Sequence, residues 1–179
     1  LTRDLKTKRF EAIGLLNASR CRYFRGERAA AAENAREAIQ TCRDTGMGFR
    51  GPGVRDLLAL SSDSEEESTA AMAEAEAILK KGCLGHNYFW LHRDGMEACL
   101  ERRDWDGVER HAAALVEFVG QVSLPYTTFY IDRARAIPAV GRNPDDDSAR
   151  AELKRVRDYG AATHMNAALA ALDRAQASG

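Results

Sequence analysis

Apolar residues recur at helical spacing along nearly the whole chain, and Gly, Pro and Asn/Asp signals cut that pattern into pairs of helices. From about Leu5 to Arg25 the period runs through Phe10, Ile13, Leu16 or Asn17, Cys21 and Phe24, and Gly26 ends it. The next helix starts near Glu27 and carries a stripe of small residues, Ala31, Ala35, Ala38 and Cys42, before Thr45-Gly46-Met47-Gly48 closes it. A short helix from Val54 to Leu60 follows. Ser64 with Glu67 and Asp63 with Glu66 both stand at capping-box spacing before a helix through Met72, Ala75, Ile78 and Leu79, with Lys80 and Lys81 in its last turn and Gly82 as its stop. The stretch from Gly85 to Leu115 reads as two helices joined at Arg103-Asp104-Trp105. The first packs through Phe89, Met96 and Leu100 and the second through Val108, Ala112, Leu115 and Val119. So short a connection requires the two to pack antiparallel.

Beyond Leu124-Pro125 a helix carries Tyr126, Phe129, Tyr130, Ala134 and Ile137, and Pro138 is expected to kink or end it. Asn143-Pro144 followed by three aspartates reads as the next helix start, with Asn143 as N-cap, ahead of Ala149, Leu153, Val156 and Tyr159. A last helix over 163–175 uses Met165, Leu169 and Leu172, and the final Gln-Ala-Ser-Gly is expected to fray. The expectation is an all-α chain of helical hairpins over about 5–45, 54–81, 86–121 and 126–159 with a closing helix. These form a single repeat domain over 1–179, stacked as a solenoid at steps of roughly 30 to 50 residues.

Composition agrees with helix: alanine is abundant while Val and Ile are sparse. Net charge narrows the partners. At -1 the chain lacks the electrostatic footprint that a phosphate-binding surface needs, so nucleic acid is not expected. No apolar run approaches the roughly 20 residues of a membrane span. Four scattered cysteines, Cys21, Cys42, Cys83 and Cys99, form no C-x-x-C pair, and with no secretory apolar segment the expected setting is the reducing cytoplasm. The chain opens at Leu1 directly in a charged helical pattern and reads as a segment of a longer protein.

The second helices of the hairpins echo the tetratricopeptide pattern of small residues spaced four then three apart, in Ala31, Ala35, Ala38 and in Val108, Ala112, Leu115. The first helices lack that family's Trp-x-x-Leu-Gly-x-x-Tyr arrangement. More particularly, about half the chain, Gly51 to Ile137, resembles the C-terminal helical region of bacterial signalling proteins that join a class III adenylate/guanylate cyclase domain to an ATPase module and tetratricopeptide-like repeats. Gly51-Pro52-Gly53 leading into Leu57-Leu58-Ala59-Leu60 carries the resemblance, with Gly85-His86-Asn87, Asp104-Trp105, Leu124-Pro125 and its aromatic cluster, and Arg133-Ala134-Arg135-Ala136. It implies a right-handed array and a regulatory or scaffolding segment. No cyclase or nucleotide-binding motif lies within these residues, so neither activity transfers.

Candidate chemistry is sparse. Gly46 to Gly53 is glycine-dense but fits no phosphate-binding spacing and reads as a connection between hairpins. Cys83, His86 and His92 lack the ligand count of a closed zinc site, and His86 or Asn87 is better placed to cap a helix. His92 and Cys99 lie two helical turns, about 10 Å, apart, too far for a nucleophile–base pair. Asp104 reads as an N-cap, with Trp105 packing back across the connection. What remains is a stripe of Trp90, Arg93, Asp94, Glu97 and Glu101 on one helix, a candidate surface for a protein or peptide segment, including another domain of the same chain. The chain therefore reads as a non-catalytic interaction or regulatory scaffold that needs no cofactor or metal. The alternative is a small-ligand sensory module with a pocket near Trp90, Tyr126, Tyr130 and Arg133.

Overall fold

A computed structural model describes residues 8–45, 50–120, 122 and 124–177. Among them lie nine helices and no strand: α1 (Lys8–Phe24), α2 (Arg28–Thr45), α3 (Gly51–Ser61), α4 (Glu65–Lys80), α5 (His86–Arg102), α6 (Trp105–Val119), α7 (Pro125–Arg142), α8 (Asp147–Ala162) and α9 (Asn166–Ala177). The expected helical start at Leu5, the Gly46-Met47-Gly48 closure with the glycine-rich stretch that it opens, and the end of the fraying tail lie outside the described residues. The chain divides into two compact units, Leu1–Gly95 and Met96–Gly179, and the division falls inside α5.

In the first unit α1 does not bury the face its large residues suggest. Phe10 and Phe24 are both 57% exposed and Cys21 is exposed, whereas Ala12, Leu16 and Ser19 are buried. The cause is α2, whose Ala31, Ala35 and Ala38 present a flat stripe that a small-residue face can approach closely. At that contact the Ser19 hydroxyl donates to the Ala31 carbonyl at 2.6 Å. The turn between the two helices needs a positive φ, which Gly26 supplies at 79° without a Cβ clash.

Every residue of α3 is buried, Arg55 and Asp56 included. It starts at Gly51, ahead of the expected Val54, because Pro52 in the first turn is pre-set to helical φ and loses no needed donor. Leu58 and Ala59 of α3 pack with Ala32 and Ala35 of α2 and Ala71 of α4. The Ser68 hydroxyl ties α4 to the Ala59 carbonyl at 2.6 Å. Ser64 caps α4 as expected, accepting from the Glu67 N–H. Glu67 itself accepts from the Ser62 hydroxyl and from the Arg36 guanidinium. Those bonds hold its carboxyl down at about 2. Ala75 and Leu79 continue the core onto Leu91 of α5.

In the second unit Asp104 caps α6, its carboxylate accepting from the Gly107 N–H at 2.9 Å. Val108, Ala112 and Leu115 are fully buried, as the periodicity predicts. Trp105 lies against α7 at Gly141, where an added Cβ would come within 2.9 Å of its ring. Here α7 does not end at Pro138, and Asn143 is not the cap of α8. Helix α7 continues through Pro138 to Arg142; the bond that proline forfeits is outweighed by burying Ile137, Pro138 and Val140. The cap of α8 is Asp146, not Asn143, because the Asp146 carboxylate accepts from two N–H groups, those of Ser148 and Ala149. Asn143 instead closes a turn, its carbonyl accepting from the Asp146 N–H at 3.2 Å. Helix α9 starts at Asn166, since Thr163 belongs to the end of α8.

Three bonds between helices two apart in the chain span similar sequence separations. In the first unit Arg36 of α2 reaches Glu67 of α4 across 31 residues. In the second, Arg133 binds Glu97 across 36 residues and the Ala168 carbonyl across 35.

Candidate functional site

Charged residues rarely enter a protein interior unless paired, so the buried ones mark where this chain's chemistry lies. In the first unit they converge on Asp94, halfway along α5 and 1% exposed. Arg20 of α1 donates to one of its oxygens through Nη2 at 2.9 Å, and Arg93 donates to the other through Nε at 2.7 Å and through Nη2. Both guanidinium groups lie over the Trp90 ring, with Arg20 4.6 Å and Arg93 4.3 Å from its centroid. Trp90 is half-buried under them and also meets Phe89 edge-on.

The fourth element is Asp56 of α3, completely buried beside Asp94. Burial pushes its carboxyl well up, and the adjacent Asp94 charge pushes it further, which favours the protonated acid. Burial raises Asp94 too, while the charge of Arg93 and its hydrogen bond work against that rise. Two carboxyls sharing a proton suit acid–base work in some enzymes. Here they are 0% and 1% exposed, so a substrate arriving from solvent touches neither. The cluster joins α1, α3 and α5.

The expected surface stripe is therefore divided. Arg93 and Asp94 are buried, Trp90 and Glu97 half-buried, and of the five only Glu101 is exposed. The reason is that α5 is buried on nearly all sides from Leu91 to Cys99 and has no polar outer face along that length.

The residues of the expected ligand pocket lie on α7. Tyr126 is 38% exposed, Tyr130 is buried beneath it with ring centroids 5.0 Å apart, and Arg133 is 2% exposed. Arg133 spends its donors internally: Nε on the Ala168 carbonyl at 2.9 Å and both Nη atoms on the Glu97 carboxylate. That bidentate clamp joins α5, α7 and α9 and leaves the guanidinium committed to the fold. A separate opening of about 260 Å³ lies between α7, α8 and α9, lined by Val140, Arg150, Ala151, Leu153, Lys154, Ala175 and Gln176.

His92 is buried in the first unit. Cys99 belongs to the second, against the Asp104 cap and Gly107, where burial and the Asp104 carboxylate push its thiol up to about 11. A thiol held protonated at neutral pH is a poor nucleophile. Asn87 is buried and hydrogen-bonds Cys83. Among the described residues no group of three or more His, Cys, Asp or Glu is placed to hold a metal ion, and no helix is long and apolar enough to cross a membrane.

Arg20 and Asp56 are the site residues that sequence reasoning missed. An acid inside the apolar run Val54–Leu60 was the available signal for Asp56. Arg20 gave none, because a lone arginine on a helix reads as solvated. No family model, no curated protein and no solved structure matches the chain.

Proposed function

We propose that the chain is a non-catalytic helical-repeat segment, a right-handed array of antiparallel hairpins of tetratricopeptide type, serving protein–protein interaction or internal regulation within a larger bacterial signalling protein. The observation that carries this reading is the recurrence of bonds between helices two apart in the chain at separations of 31, 35 and 36 residues. A stack of repeats about 34 residues long places equivalent positions of successive hairpins side by side at that interval. Bonds between neighbouring helices support the antiparallel part. Lys8 of α1 pairs with Asp44 while Ser19 bonds Ala31; Arg135 of α7 pairs with Glu109 while Arg142 pairs with Asp106. In each case the start of one helix meets the end of the next.

The wider context rests on the resemblance over Gly51–Ile137. An array of this kind offers partners an extended surface assembled from successive hairpins, and Glu101 is the exposed member of the α5 stripe. Co-purification from a host that encodes the whole protein tests the reading: it predicts a stoichiometric protein partner whose recovery falls on Glu101→Arg. A chain that recovers no partner, and is stabilised instead by a metabolite, refutes it.

A second reading is a small-ligand sensor, supported by the opening between α7, α8 and α9 and not by Tyr130 and Arg133, which are committed to packing.

A further inference from the structure

We propose that the opening between α7, α8 and α9 binds a medium-chain aliphatic carboxylate, an inference that rests on the sensor reading and gives its ligand a chemical class. The walls are Val140 from α7, Ala151 and Leu153 from α8, and Ala175 from α9. They offer an apolar body no hydrogen-bond partner and need none from it. The charged lining residues are both cations, Arg150 and Lys154, one turn apart on α8 and so on the same side of that helix. Gln176 of α9 adds an amide. An apolar hole with positive charge on one flank matches a ligand with an apolar body and one anionic end. An arginine fork and a lysine ammonium are the groups that take a carboxylate.

Size decides the length. At about 260 Å³ the space falls just below the roughly 300–1,000 Å³ of drug-sized ligand sites, which selects a short, narrow body. Arg150 and Lys154 already pair with Asp147 and Asp158, but those carboxylates are 98% and 52% exposed. Exposed pairs of that kind are weak enough to be exchanged for an incoming carboxylate whose chain is buried.

The test is titration of the isotope-labelled chain with sodium octanoate, followed by amide chemical shifts, with octylammonium and octanol as matched probes. Octanoate is expected to shift amides of α8 and α9 saturably, octanol to bind at least about tenfold more weakly, and octylammonium to bind more weakly still. Ala151→Trp, at an exposed position that tolerates bulk, should fill the opening and abolish the shifts. Arg150→Gln with Lys154→Gln should reduce octanoate to the level of octanol. Equal binding of octanoate and octylammonium, or octanoate binding that survives Ala151→Trp, overturns the proposal. If octanoate fails while another class of small molecule shifts the same amides, the carboxylate assignment falls and the sensor reading stands. If a metabolite panel shifts none, both fall.

Discussion

Replacing Asp56 by asparagine tests the buried acid pair without disturbing its shape. In the folded chain the Asp56 carboxyl keeps its proton because it is wholly buried beside Asp94, with Arg20 and Arg93 directed at Asp94. In the unfolded chain the same group ionises near pH 3.9. Between that pH and the raised folded value the native state binds one more proton than the unfolded state, so stability falls as pH rises and levels off above the folded value. The slope is about 1.4 kcal/mol per pH unit for one proton. Asparagine is nearly isosteric and stays neutral. The variant should match the parent near pH 4 and gain on it as pH rises, at up to about 1.4 kcal/mol per pH unit until the folded value is passed. For a chain of this size that slope corresponds to a Tm difference growing by roughly 3–6 °C per pH unit. Parallel thermal melts of both proteins at about pH 4.5, 5.5 and 6.5 give the measurement. A Tm difference that stays constant with pH, or that favours the parent at neutral pH, refutes a protonated Asp56.

Three further expectations follow from particular contacts. Arg133→Ala leaves Glu97 and the Ala168 carbonyl without their buried donor and should cost about 3–5 kcal/mol in denaturant melts, with Glu97→Gln relieving part of the loss. Gly160→Ala puts a Cβ within 2.8 Å of the Phe129 ring and 3.0 Å of Leu169; it should destabilise by about 1–3 kcal/mol although alanine is the better helix former, and Phe129→Leu should soften the effect. Glu67→Gln should weaken the chain by about 1 kcal/mol at neutral pH. Because the folded carboxyl is depressed from 4.5 to about 2, that difference should shrink as pH falls through this interval.

Helices and their stops were legible in the sequence because local signals set them. Ser64 and Asp104 cap where their spacing says, and Gly26 and Gly82 end helices with positive φ. Which face each helix buries was legible only where the neighbour does not decide it. Val108, Ala112 and Leu115 are buried as their period predicts, but α1 turns Phe10 and Phe24 outward to suit the alanine stripe of α2. The stripe on α5 misled for a related reason. Its charges read as solvated, yet Arg93 and Asp94 are buried by pairing with each other and with Arg20, which lies 74 residues from Asp94. A pairing that distant leaves no periodic trace. Pro138 shows the converse, a local helix breaker overridden by tertiary burial.

Truncation tests the proposed array of repeats most directly. In such an array each repeat depends on its neighbours and not on a shared core. A chain ended at Val122, which removes α7 to α9, should therefore keep the helical circular dichroism of α1 to α6 and still unfold cooperatively at reduced stability. Loss of that helical signal, with no cooperative transition left, would contradict the account.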